Sequence, residues 1–304
     1  MKMKNAISQF QNYMIVQRGF SPLTIKAYSS DLEKFEEFLN KRELQSTIEN
    51  IRTQDIVSYL SYLTYPDDNK KPNLVISRAR KLSSINSFFT FLRKNKVIEV
   101  SPTTDIDLPK LPQTEPDYLT INEYQKLLAT INKIASPFFK LRDLSIVSLF
   151  ISTGIRVSEL VNLRLRDLDL EERTIKVKRK GNKNQTIPLN KNVSNLIDKY
   201  LKVRPETDNN QLFISKKRNG VKSNTVYCLV SKYLKLSGIQ KGKKGPHLLR
   251  HTCFTTLLSK NVNPVVIQQL AGHVNFNTTK KYLHLNSTQI REAVTKINLL
   301  EGEI

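Results

Sequence analysis

The chain is short of cysteine, glycine and acid, and each shortage excludes a class of protein. Its 304 residues hold two cysteines, Cys228 and Cys253, both in segments with helical periodicity, so a disulfide framework is excluded and a reducing compartment is expected. The nine glycines build neither a G-x-x-x-x-G-K-[ST] loop nor a G-x-G-x-x-G turn after a strand, so chemistry driven by a nucleotide is not expected. No apolar run approaches the ~18 residues of a membrane span, the longest candidate being 144–151, and the start MKMKNAISQF has no signal-peptide core. A cytoplasmic protein with no membrane partner is expected.

Acid is outnumbered by base: 27 Asp and Glu against 49 Lys and Arg leave a formal net charge of +22. The excess is uneven. Residues 1–108 carry 16 basic and 12 acidic side chains, net +4, and the remainder 33 and 15, net +18. Spread along a chain that is 39% hydrophobic, such charge points to a globular protein bound to a polyanion.

The length suggests two domains. Residues 4–18 read as a helix closing at Gly19, and Ser21-Pro22 is a start signal for a second, with the stripe Ile25, Tyr28, Leu32, Phe35 and Leu39. A third begins at Thr53 and a fourth covers 73–95, with an apolar side (Ile85, Phe88, Phe89, Leu92) and a basic side (Arg78, Arg80, Lys81) that is either solvated or turned to DNA. These make a four-helix domain, 1–108. A proline-rich linker, 109–117, separates it from a second domain, 118–304.

In the second domain Thr120 to Glu123 is a capping box, and a helix from Pro137 stops at Gly154. TGIRVSELVNL follows. There Arg156 shares a helical stripe with Leu160 and Leu163, and Glu159 lies one turn on, where it can hold the guanidinium. Residues 174–178 alternate as a strand and 185–189 return, joined by a turn whose tip is basic: Lys178, Arg179, Lys180, Lys183. Helices follow over 193–203 and 224–237. The fold class is therefore mainly α with a small β-hairpin, an α+β second domain.

Residues 246–284 hold all four histidines together with Arg250 and Tyr282. A helix over 247–260 places Arg250 in the middle of the apolar stripe Leu249, Cys253, Phe254, Leu257 and Leu258. A guanidinium in that position needs an anion. His247, three residues earlier at the helix N-terminus, favours the same client, and the natural one is a phosphate. A second helix over 264–270 ends at Gly272, and Asn277 starts a third that presents Tyr282. Zinc is the rival, because His247 and His251 are spaced i, i+4, with His273 or Cys253 as a third ligand. The intervening residues are LLR, however, so the glutamate of H-E-x-x-H is missing and an arginine would stand beside the cation. No metal and no cofactor are expected.

TGIRVSEL, KGNKNQTIPL, HLLRHTCFTTLL and LAGHVNFNTTKKYLH, with nine residues from His273 to Tyr282, resemble the signature segments of the tyrosine recombinase (phage integrase) family. The likeness extends through SPLTIKAYSSDLEKFEEFL to the family's amino-terminal core-binding domain; Xer-type site-specific recombinases are the nearest subgroup, with transposon- and phage-encoded integrases of similar length as the alternative. The resemblance implies two domains forming a C-shaped clamp on a double-stranded DNA recombination site, and self-association to a tetramer on two sites, with or without a partner recombinase. It implies Tyr282 as nucleophile forming a 3'-phosphotyrosyl link, Arg156 and Arg250 on the non-bridging oxygens, His247 assisting proton transfer, His273 on the phosphate, and Lys180 as general acid, with Lys183 the alternative. Arg179 stands where the family often has glycine, and Gln185 where it often has a basic residue. A type IB topoisomerase shares the phosphotyrosine chemistry, and a non-catalytic DNA-binding protein would share the charge. The tail, 287–304, reads as an amphipathic helix that packs in cis or docks on a neighbouring protomer.

Overall fold

The computed structural model describes residues 1–42, 47–66, 71–107, 117–179 and 183–272. Lys180, His273, Tyr282, most of the expected linker and the expected tail helix lie outside the described residues. The chain divides into two compact units, Met1–Gln113 and Thr114–Ile304.

The first unit holds α1 (Met3–Val16), α2 (Pro22–Lys41), α3 (Thr53–Thr64) and α4 (Val75–Lys94). α2 begins as its sequence dictates, with the Ser21 hydroxyl accepting from the Thr24 backbone N–H at 3.2 Å and Pro22 in the first turn. The helices close over Phe10, Phe35, Tyr59, Phe88 and Phe89, none more than 1% exposed. The basic side of α4 is partly engaged within the unit, with Lys81 buried and Arg80 paired to an acid while its side chain stays 52% exposed. Asp31 of α2 is buried, and Arg80 grips it with two hydrogen bonds of 2.5 and 2.7 Å while Ser84 adds a third at 2.9 Å. Lys81 is buried too and donates to Asn73 at 3.0 Å, and Arg78 donates to the Thr64 hydroxyl. A carboxylate placed inside the unit must be paired, and these cations serve it and its surroundings rather than forming a plain outward row.

The second unit holds α5 (Ile121–Ile134), α6 (Pro137–Thr153), α7 (Val157–Asn162), α8 (Lys191–Val203), α9 (Ser223–Leu236), α10 (Pro246–Ser259) and α11 (Pro264–Ala271). α5 carries the expected capping box: Thr120 Oγ1 accepts from Glu123 N at 3.2 Å, and the Glu123 carboxylate accepts from Thr120 N at 2.8 Å. α6 is the central post, packed on α5, α8 and α10 and buried almost all round from Arg142 to Phe150. A helix apolar on every side belongs inside a fold, and α6 stops at Gly154, whose φ of 59° is left-handed. An ion pair lies inside it: Arg142 meets Asp143 at 2.7 Å, and Tyr233 of α9 donates to the same carboxylate at 2.8 Å.

Beside the helices lies an antiparallel sheet of β1 (Leu168–Asp169), β2 (Thr174–Lys178) and β3 (Asn184–Pro188), in that order. The expected hairpin is β2–β3, in the register Ile175↔Ile187 and Val177↔Gln185. β1 was not expected, since two residues are too few for an alternation to show. No helix among the described residues is long and apolar enough to cross a membrane.

Candidate active site

α10 supplies the first pair of expected residues. Its entry is fixed by Gly245, whose φ of 120° suits glycine and where a Cβ would stand 2.6 Å from the Tyr227 ring. That ring meets His247 edge-on, with centroids 6.3 Å apart. His247 is solvent-exposed in the first turn of α10, and its pKa lies below the ordinary histidine value. Partial desolvation is the main cause, with the positive charges of Arg250 and Lys243 adding to it. The imidazole is therefore held toward its neutral form, in which one nitrogen can accept a proton.

Arg250 follows one turn later and is 8% exposed. Its guanidinium lies 4.8 Å from the Phe254 ring centre and donates to the carbonyl oxygen of Gly154 and, at 2.9 Å, to that of Ala271. Gly154 serves this contact twice. Its left-handed backbone turns the chain at the end of α6, and a Cβ there would meet the Phe254 ring at 2.5 Å. The anion that the sequence demanded for Arg250 is met here in part by the negative ends of carbonyl dipoles.

Arg156 is the residue just before α7, and its side chain is one-third exposed. As expected, Glu159 holds it: the carboxylate accepts from the Arg156 backbone N–H at 2.8 Å and from its guanidinium at 2.9 Å. A further N–H reaches the Gly272 carbonyl at 3.1 Å. Burial pushes the Glu159 carboxyl up, but the hydrogen bonds from Arg156 and the charge of Arg179 outweigh it and hold the group below the usual carboxylate range.

The two arginines thus share one anchor, the C-terminal end of α11. A helix leaves its last carbonyls without intrahelical partners and concentrates negative partial charge there. In this protein four successive carbonyls are taken by side chains from elsewhere in the unit. Gln185 donates to Gln269 at 2.9 Å, Arg179 to Leu270 at 2.7 Å, Arg250 to Ala271, and Arg156 to Gly272. The next residue in the chain is His273.

Arg179 is the residue that sequence reasoning missed. Read as part of a basic hairpin tip, it is instead 8% exposed and turned inward, with Glu159 at 2.6 Å and Gln185 at 2.9 Å. Strand parity carried the signal: Ile175 and Val177 are the buried residues of β2, and position 179 continues that inward set. The structure brings Arg156, Arg250 and His247 into one region. Lys180, which follows Arg179 in the chain, and Tyr282 lie outside the described residues.

Residues 117–289 match the phage integrase family, and residues 7–96 match the phage integrase N-terminal SAM-like domain. The tyrosine recombinase XerC of Caldanaerobacter subterraneus subsp. tengcongensis is 40% identical over 312 residues, covering 95% of this chain and 86% of that protein. The tyrosine recombinase XerD of Listeria monocytogenes is 31% identical over 296 residues, covering 95% and 97%. Among solved structures, the XerH site-specific recombinase bound to difH substrate superposes with a TM-score of 0.72 at 26% identity, covering 95% of this chain and 84% of that one. The chain belongs to the phage integrase family. It is a tyrosine-type site-specific recombinase, with Xer recombinases among its relatives.

Proposed function

We propose that this recombinase cuts and rejoins double-stranded DNA through a 3'-phosphotyrosyl intermediate, without metal or nucleotide. The observation that carries the reading is the pair Arg156 and Arg250, drawn from the residue before α7 and from α10 to one helix end immediately before His273 in the chain. Each guanidinium is a planar fork of five N–H donors, a geometry that matches the non-bridging oxygens of a phosphodiester. Two such cations neutralise the charge that develops on those oxygens in the transition state, and His273 adds a hydrogen bond.

In the forward step the Tyr282 oxygen attacks phosphorus, the bond from phosphorus to the 5'-oxygen breaks, and the tyrosine proton passes to His247. Lys180 gives a proton to the departing 5'-oxygen. A phenol of pKa about 10 is a poor nucleophile at neutral pH, and the surrounding cations stabilise its anion. Attack by a 5'-hydroxyl on the phosphotyrosine reverses the step, one phosphoester replacing another, so no external energy source is required.

Residues 1–108 serve as the core-binding domain and 118–304 as the catalytic domain, joined by the linker 109–117. The DNA partner follows from the net charge and from the XerH relative bound to difH substrate. Exchange of strands between two sites needs one nucleophile per strand, hence a tetramer. The cytoplasm, where the DNA is, is its compartment.

Tyr282→Phe tests the reading, since it removes one hydroxyl and almost no volume. The variant should bind a suicide DNA substrate as the parent does and form no denaturant-stable adduct. A persistent adduct would remove Tyr282 as the nucleophile.

A further inference from the structure

Arg179 has the burial and the partner set of a structural core cation, yet it sits on the strand that leads into the turn carrying Lys180. Its guanidinium reaches three elements at once: Glu159 of α7 at 2.6 Å, Gln185 of β3 at 2.9 Å and the Leu270 carbonyl of α11 at 2.7 Å. Its backbone N–H donates to the Lys183 carbonyl at 2.8 Å and so closes the open end of the hairpin. Gln185 runs parallel to it, receiving Arg179 on its amide oxygen and donating its amide nitrogen to Gln269 of α11. The hairpin is therefore tied down by two struts, one charged and one neutral, to the same helix end that holds Arg250 and Arg156. Glu159 links the charged strut to Arg156 directly, because one carboxylate accepts from both guanidinium groups.

We propose that Arg179 is a positioning residue for proton delivery: with Gln185 as its second strut, it fixes the β2–β3 hairpin, one residue before Lys180 in the chain, on the helix end that Arg250 and Arg156 also grip. The inference rests on Lys180 being the general acid. A lysine on an untethered turn samples many positions, and a proton donor works only within hydrogen-bond reach of the leaving oxygen. Two ties to α11 beside Lys180 in the sequence restrain the hairpin that carries it.

The test uses the full-length protein and two suicide substrates, one with the ordinary 5'-oxygen and one with a 5'-bridging sulfur, which leaves without a proton. Arg179→Ala should slow cleavage of the ordinary substrate on the order of 10- to 100-fold, a partial loss of the roughly 100- to 10,000-fold that general acid catalysis supplies. It should bind single-site DNA as the parent does, and the sulfur substrate should recover most of the loss. Gln185→Ala, at a part-exposed residue, should show a smaller loss with the same recovery, and it carries the test if the arginine variant fails to fold. Lys180→Ala should be recovered by sulfur as well, and adding Arg179→Ala to it should cost little more, since both act on one step. Lys180→Ala recovered while neither strut variant is would overturn the positioning role alone. Lys180→Ala not recovered would remove the general-acid assignment and the inference with it. Losses of Arg179→Ala and Lys180→Ala that multiply would also overturn it, because the arginine would then act on another step.

Discussion

Glu159 and Arg179 face each other at 2.6 Å with both side chains buried, one from the first turn of a short helix and the other from the end of a strand 20 residues later. The same carboxylate also receives Arg156, so a single acid balances one buried guanidinium and one that faces outward. It is the point at which the interior of the second unit and its proposed chemistry meet.

Removing that acid should therefore be costly. Glu159→Ala leaves Arg179 buried without its carboxylate and is expected to lower unfolding stability by about 3–5 kcal/mol in urea titrations. The sign of the pH dependence follows from the depressed carboxyl. Stability from the ionised form is fully present above the unfolded-state value, about 4.3, and is lost as pH falls through the lower folded value. The advantage of the parent over Glu159→Gln should thus persist at pH 6 and shrink below about pH 4. An advantage already gone at pH 6 would mean that the charge contributes nothing.

Gly272→Ala bears on the helix end itself. The backbone there has φ 59°, which costs a residue with a Cβ roughly 1–2 kcal/mol, and the added carbon would stand 2.9 Å from Arg179 Nε. We expect slower cleavage with DNA binding retained. Because part of the effect passes through Arg179, the double variant with Arg179→Ala should be less impaired than the two single losses combined. Strict additivity would show that Gly272 matters only for its own backbone.

The third expectation concerns His247. If it accepts the tyrosine proton it must be neutral, so the acid limb of the cleavage rate should lie below the usual histidine value of about 6.5. Lys243 contributes to the lowering, and Lys243→Ala should move the limb upward, the more so at low ionic strength. A limb that stays fixed in this variant, measured by single-turnover cleavage across pH, would remove Lys243 from the account.

Much of this was legible in the sequence because it is local. Ser21-Pro22, the Thr120 to Glu123 box, Pro137 with Gly154, and Pro264 with Gly272 each mark a helix end by chemistry confined to a few residues, and the helices stop and start there. The pairing of Arg156 with Glu159 was also local, one helical turn apart. What was not legible is what depends on distant partners. Asp31 and Arg80 are 49 residues apart, so the buried acid that the exposed basic side of α4 serves could not be read from the helix alone. Arg250 called for an anion, and its carbonyl partners, Gly154 and Ala271, belong to two other helix ends. Arg179 was hidden by its neighbours, since three lysines around it suggested a uniformly solvated tip while strand parity pointed the other way.

The pinned end of α11 also sets a length scale. Gly272 is fixed by Arg156, and Tyr282 comes ten residues later in the chain. At no more than about 3.6 Å per residue, its Cα lies within about 36 Å of that anchor whatever path the chain takes. The proposed nucleophile therefore has a bounded reach. It can serve its own pair of arginines, and it can serve a neighbouring copy only where the neighbour's arginines fall inside the same radius. In the proposed assembly, the spacing of protomers along a DNA site would act as a ruler that decides which tyrosine can reach which phosphate.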